Sequence, residues 1–394
     1  MPKLTLDRLD LRGKRVFIRA DLNAPLDRGT VSDDTRLRAV VPTLRYALDA
    51  GAAIVLASHL GRPKGRVAPE LSLRPVAERL ETLLGRRVEL APDCVGPATL
   101  ERAQRLAPGG ILLLENLRFH PEEEANDDGF AKALAALADC YVDDAFAAAH
   151  RAHASIAAIT GHLQPAAAGL LLQAELTALG RILEAPARPL VAILGGAKVS
   201  DKIALVEHLL GRVDALLIGG GMAFTFLRAL GHDVGRSLVE PERVETARHA
   251  LEAARRRGVS LLLPVDAVVA DGVDAAAGRL VGVREIPAAQ MGLDIGPRTV
   301  ERFREALAGA KTVVWNGPMG VFEREPFAAG TLAIARAVAA SGAFAVVGGG
   351  DTVAAVTQAG VADRIGYLST AGGAFLEFLE GRALPGVEAL TEVG

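Results

Sequence analysis

Nine short apolar runs, each breaking into glycine or polar residues, set the strongest limit on how this chain can fold. Four lie in the first half: "RVFIRAD" (15–21), "AAIVLASH" (52–59), "GILLLEN" (110–116) and "CYVDDAF" (140–146). Five follow residue 188: "PLVAILGG" (189–196), "ALLIGGG" (215–221), "SLLLPVD" (260–266), "TVVWNGP" (312–318) and "FAVVGGGD" (344–351). Runs this short and continuously apolar fit strands buried on both faces, and segments such as "LRPVAERLETLL" (73–84) between them repeat with helical period. Alternating strands and helices predict parallel sheets with helices on both sides. The two sets are separated by "GLLLQAELTALGRILEAPARP" (169–189), which reads as a helix without a strand. The chain is therefore expected to be α/β, with two doubly wound domains: residues 1–170, a helix and linker over 171–188, and residues 189–383. A length of 394 residues also favours two cores over one.

Composition narrows the class. The formal charge is -3 without a long basic run, which argues against nucleic acid as a partner. Two distant cysteines, Cys94 and Cys140, fit a reducing compartment rather than a disulfide framework. The N-terminus lacks a signal-peptide core, and the apolar stretches are too short to span a bilayer. A cytoplasmic enzyme is expected.

Ligands of open parallel sheets bind outside the carboxyl ends of the strands. In the first half those ends carry Asp21, Asn23 and, shortly after, Arg36; then His59 and Arg62; then Arg118; then His150, Arg151 and His153. A single arginine among 37 is ordinarily a solvated surface group. Several at successive strand ends instead suit a small, multiply anionic substrate, because guanidinium forks grip phosphate and carboxylate.

The second half reads as a nucleotide site. "ILGGAKVSDKI" places Lys198 and Lys202, two of only seven lysines, four residues apart after two glycines. That spacing predicts both ammonium groups on one face of a helix start, where phosphates bind. It is not a Walker A loop, and no G-x-G-x-x-G fingerprint follows the first strand of either half. In "WNGPMGVFE", Glu323 is a candidate for ribose hydroxyls, and Pro318, Met319 and Val321 for a purine wall. "GGGDT" combines glycines and a helix start, a phosphate cradle, with a carboxylate that would repel bare phosphate. A magnesium ion resolves the conflict, with Asp351 as its ligand. The chemistry implied is phosphoryl transfer.

Eight segments, "RADLNAPL", "SHLGRP", "ENLRFH", "AHRAHAS", "GGAKVSDKI", "GGGMAFTF", "WNGPMGVFE" and "GGGDT", resemble the signature segments of phosphoglycerate kinases, in the same order and over essentially the whole chain. The resemblance implies two Rossmann-like domains facing across a cleft that closes about a hinge, with residues 384–394 returning to the N-terminal domain. It implies 3-phosphoglycerate or 1,3-bisphosphoglycerate on Asp21, Asn23, Arg36, His59, Arg62, Arg118 and Arg151. Mg-ADP or Mg-ATP would take Lys198, Lys202, Gly292, Asn316, Glu323 and the cradle of Gly349, Gly350, Asp351 and Thr352. Arg36 and Lys202 would be the catalytic clamp, and a monomer acting on small molecules is expected. Two departures from the family pattern fall at Ala147–Ala148 and at Ala371 and Phe375. A kinase for another phosphorylated acid would need other residues at the first-half strand ends. A non-catalytic nucleotide-binding protein would lack Arg36, Lys202 or Asp351.

Overall fold

A computed structural model describes residues 2–393 as two compact units, 2–177 with 383–393, and Ala178–Arg382. In the first unit six parallel strands form one sheet: β1 (Arg15–Ala20), β2 (Ala53–Ala57), β3 (Glu89–Leu90), β4 (Ile111–Leu113), β5 (Cys140–Asp144) and β6 (Ala166–Ala168), in the order β3-β4-β2-β1-β5-β6. Every residue of β2 and β5 is buried, as expected where helices cover both faces. Helix α1 (Thr35–Asp49) packs Leu37, Val40 and Leu44 into the same core as Ile18 and Ile54. β1 lies between β2 and β5, with Arg15 opposite Ala53 and Val16 opposite Cys140.

The chain's end belongs to this first unit. Gly386 N–H donates to Ala149 O at 2.8 Å, Thr391 N–H to Ala166 O at 2.9 Å, and Leu4 N–H to Thr391 O at 2.8 Å. Helix α2 (Leu170–Leu183) starts on a buried carboxylate: Asp144 Oδ1 accepts from Leu171 N–H and Leu172 N–H at 2.9 and 3.1 Å. Burial pushes the Asp144 carboxyl up to about 6.

The second unit repeats the architecture with β7 (Leu190–Leu194), β8 (Ala215–Ile218) and β9 (Ser260–Leu262), then adds a small sheet of β10 (Asp266–Ala270), β11 (Arg279–Gly282) and β12 (Met291–Ile295), and returns with β13 (Thr312–Asn316), β14 (Phe344–Gly348) and β15 (Tyr367–Ser369). The large parallel sheet runs β9-β8-β7-β13-β14-β15, and the small antiparallel one β11-β10-β12. The sequence pattern reads 260–266 as one strand. The structure ends it at Leu262 and starts another sheet at Asp266. Pro264 lies between them and has no N–H to continue a ladder. Helices α3 (Ile203–Leu209), α4 (Met222–Ala229) and α5 (Gly350–Gln358) follow β7, β8 and β14. Phe375 is fully buried, its ring lying against Gly348 where a Cβ would have no room. No helix among the described residues is long and apolar enough to cross a membrane.

Candidate functional site

The order β4-β2-β1-β5 sets side by side the strand tails that carry the first-half candidates. Asp21 is buried; its Oδ2 accepts from Arg36 at 2.9 Å and its Oδ1 from Asn23 N–H at 3.2 Å. Asn23 Oδ1 accepts from Gly61 N–H at 2.9 Å, tying the β1 tail to the β2 tail. The Ser58 hydroxyl repeats the tie, donating to Ala20 O at 2.8 Å and accepting from Leu22 N–H at 2.9 Å. Arg118 follows β4 in a short 3-10 turn (Leu117–Phe119); its guanidinium donates to Gly61 O at 3.0 Å and lies 3.3 Å from the Glu124 carboxylate. Arg62 and Arg151 are exposed, and Arg151 Nε donates to His150 Nε2 at 3.2 Å.

Beneath these lies a charged network that the sequence reading did not single out. Arg19, next to the end of β1, is fully buried. It donates to Ser155 Oγ at 2.9 Å and to Ala20 O at 2.5 Å, and its third arm is 3.2 Å from His59 Nδ1. Ser155 passes the charge on: its hydroxyl and N–H donate to the Glu123 carboxylate at 2.6 and 2.9 Å. Glu123 is fully buried, and desolvation raises its pKa against the pull of Arg19. Burial, then Arg19, Arg118 and Arg36, hold His59 well below its ordinary pKa. A guanidinium can only donate, so the neutral His59 accepts at Nδ1 and carries its proton on Nε2. His153 is likewise pushed down to about 4 by burial and by Arg118, so its 3.9 Å contact with Glu123 is not an ion pair at neutral pH. The site presents fixed cations and neutral imidazoles, the equipment for holding anions. One signal was available for Arg19, a charge inside an apolar run. Glu123 stands in "PEEE", which reads as a solvated face.

In the second unit a cavity of about 360 Å³ opens between the tails of β7, β8 and β13 and the small sheet. Its walls are mostly glycine and apolar side chains, among them Phe224, Met319 and Val321, with Glu323, Asp294 and Asp351 as its charged groups. That is the volume and lining of a small-ligand pocket. Gly292 forms part of it: its N–H donates to Ser237 Oγ at 2.9 Å, and a Cβ there would run into the Phe224 ring. Gly220, at φ 65°, lets the β7 and β8 tails meet, since a Cβ would lie 2.6 Å from both Gly196 N and Gly196 O.

The lysines depart from the sequence expectation. Lys198 is exposed in a loop, and α3 begins only at Ile203, so the two ammonium groups do not share a helical face. The chain is drawn out of helix by tertiary bonds. Ser200 N–H and Oγ donate to the Glu240 carboxylate at 3.0 and 2.5 Å. Lys202, at φ -135° and ψ 2°, turns inward to donate to Gly195 O at 2.5 Å and Asn316 O at 3.1 Å. Burial brings the Lys202 ammonium down to about 8, opposed by Asp201 and Asp351.

The "GGGDT" segment forms the start of α5. Gly349 takes φ 92°, and Gly350 is exposed, with open space where a Cβ would point. Thr352 Oγ1 accepts from Gly317 N–H at 2.7 Å and Asn316 Nδ2 donates to Gly348 O at 2.8 Å, locking the β13 and β14 tails around the helix start. Asp351 lies in the first turn, exposed at the cavity, and no protein group among the described residues bonds its carboxylate. Uncommitted carboxylate oxygens are ligands a hard divalent cation would take, and the free first-turn N–H groups beside them suit an anion.

The family profile described as phosphoglycerate kinase matches residues 6–382. A phosphoglycerate kinase of Moorella thermoacetica is 59% identical over 393 residues, covering 100% of each chain. One of Acidobacterium capsulatum is 56% identical over 403 residues, again covering 100% of both. Among solved structures, phosphoglycerate kinase from Coxiella burnetii superposes with a TM-score of 0.91 at 44% identity, and that from Pyrococcus horikoshii OT3 with 0.85 at 35%, each covering 98% of both chains.

Proposed function

The chain belongs to the phosphoglycerate kinase family, and from that premise we propose how its own groups divide the work. The reaction is reversible phosphoryl transfer between 1,3-bisphosphoglycerate and ADP, giving 3-phosphoglycerate and ATP. The attacking group is charged in either direction, a β-phosphate oxygen of ADP or the carboxylate of 3-phosphoglycerate. No proton has to be removed, so the neutral His59 and His153 act as hydrogen-bond donors rather than bases. What remains for the protein is in-line positioning and charge placed around the transferred group.

In this reading the phosphoglycerate side is Asp21, Asn23, Arg36, His59, Arg62, Arg118 and Arg151, with Arg19 as the buried support of His59. Asp21 acts by orienting Arg36. The nucleotide side is Lys198, Lys202, Gly292, Asn316, Glu323 and Gly349 to Thr352, with the base in the apolar cavity and Glu323 toward the ribose. Asp351 would hold Mg²⁺, which would supply positive charge to offset the nucleotide phosphates. Arg36 and Lys202 stabilise the charge on the group in flight. Two buried, reduced cysteines fit the cytoplasm, and the small-molecule sites need neither nucleic acid nor a second subunit.

The observation that carries the nucleotide side is Lys202: a buried ammonium held by two strand-end carbonyls, its pKa brought down to about 8 by burial, beside an aspartate that no described protein group bonds. Arriving phosphates give it the counter-charge it lacks. Lys202→Ala should lower kcat by about 10²–10⁴, the range for groups that act on developing charge, and should also raise the KM for nucleotide, whose phosphates lie beside the ammonium already in the ground state. A coupled assay of ATP-dependent 3-phosphoglycerate phosphorylation measures it, and a kcat within about threefold of wild type would remove Lys202 from the clamp.

A further inference from the structure

Apart from both half-sites, the first unit gathers three metal-ligating side chains at one point. Asp93 and Cys94 lie in the loop after β3, and His120 ends the turn that carries Arg118. His120 Nε2 is 2.6 Å from Asp93 Oδ1. With the Cys94 thiol they make a set whose ligand atoms all lie within 4.8 Å of one another. Cys94 is fully buried and donates to Glu115 O at 3.0 Å, whereas the His120 and Asp93 side chains are 25% and 47% exposed. The group is closed on the sulfur side and open on the other.

We propose that Asp93, Cys94 and His120 bind one divalent cation of the zinc class, with water as the fourth ligand. One thiolate, one imidazole and one carboxylate form a borderline-soft donor set of the kind zinc takes, and one that magnesium does not. Bonds of about 2.0–2.3 Å in a tetrahedron put ligand atoms about 3.3–3.8 Å apart. The sulfur therefore moves in by no more than about 1.5 Å while the His120–Asp93 contact opens by about 1 Å, both within reach of side-chain rotation. The cation takes the place of the proton now between imidazole and carboxylate. The Cys94 proton leaves to solvent, and the imidazole binds neutral through Nε2 with its proton on Nδ1. Burial, then the charges of Asp93, Glu123 and Glu115, disfavour a bare Cys94 thiolate. The same carboxylates favour a cation there, and a coordinated thiol is deprotonated outright. Entry is through the exposed edge of His120 and Asp93.

The test is a Co²⁺ titration of chelator-treated, full-length protein in excess Mg²⁺. One equivalent should produce visible d–d bands and a near-ultraviolet thiolate-to-cobalt band, both abolished by Zn²⁺. Cys94→Ser should lose the thiolate band while keeping kinase activity. His120→Gln should keep the band but bind Co²⁺ at least about tenfold more weakly, since even lost outer-shell partners cost 10- to 100-fold. The proposal is overturned by absence of the thiolate band in the wild type, by its survival in Cys94→Ser, which would assign it to Cys140, or by unchanged affinity in His120→Gln. The wild-type and His120→Gln measurements decide the matter even if Cys94→Ser fails to fold.

Discussion

Raising the pH should loosen nucleotide from this protein through one side chain. Desolvation holds the Lys202 ammonium near 8 instead of 10.5, with its Nζ tied only to the neutral carbonyls of Gly195 and Asn316. That depression corresponds to about 3 kcal/mol of lost stabilisation for the charged form. In the proposed site, nucleotide phosphates beside Nζ would return it, so the complex would hold Lys202 charged to about its ordinary pKa. The sign follows directly: the free protein releases this proton as pH passes about 8, the complex keeps it, and binding above pH 8 must take a proton up. With the two values at about 8 and about 10.5, ADP affinity falls about twentyfold between about pH 7.5 and about pH 9.5. Calorimetry at fixed Mg²⁺ in two buffers of different ionisation enthalpy reads both the affinity and the proton uptake. ADP itself is fully ionised over that range. Lys202→Met, which keeps the length and loses the charge, should bind more weakly at pH 7.5 and lose the slope. The same group gives the ligand-free protein the opposite trend. The unfolded chain, with its lysine at 10.5, binds more protons between about 8 and 10.5, so Lys202 makes the fold more stable as pH rises through that window. A wild-type affinity that is flat from about pH 7.5 to 9.5, or a slope that survives in Lys202→Met, would refute the reasoning.

Asp351→Asn keeps one coordinating oxygen and should raise the Mg²⁺ requirement without weakening metal-free nucleotide binding. Superimposable curves of activity against Mg²⁺ would leave Asp351 without a metal role. Gly292→Ala puts a methyl group into the Phe224 ring and should weaken ADP at least about tenfold while 3-phosphoglycerate binding is unchanged, read by calorimetry with each ligand. Ser155→Ala breaks the relay between Arg19 and Glu123 and leaves two buried polar groups without their partner. We expect a loss of about 1–3 kcal/mol in urea unfolding, and a loss under about 0.5 kcal/mol would mean water replaces the hydroxyl.

Much of the fold is written in local pattern. Strand runs bounded by glycine and proline, and helices with a 3.6-residue period, depend on neighbours in the chain, so the α/β class and the alternation of elements could be read directly. The polar ends of those runs carry Asp21, His59, Arg118 and Asp351, because a strand that stops being apolar marks its own carboxyl end. Strand order is different. That β4, β2, β1 and β5 lie adjacent, and so bring Arg36, His59, Arg118 and Arg151 into one field, depends on pairings between residues far apart in sequence. The small sheet has no local signature for the same reason, since Asp266–Ala270 pairs with strands that no local signal links to it.

Electrostatic states were still less accessible. Lys198 and Lys202 are equivalent by residue type and spacing, yet one is solvated and the other buried against strand-end carbonyls. Arg19 and Glu123 are more than a hundred positions apart and are joined by the hydroxyl of Ser155, which belongs to neither segment. Residue identity supplies the donors, acceptors and charges. Burial and long-range partners set which of them stay charged, and these arise only when distant segments exclude water together.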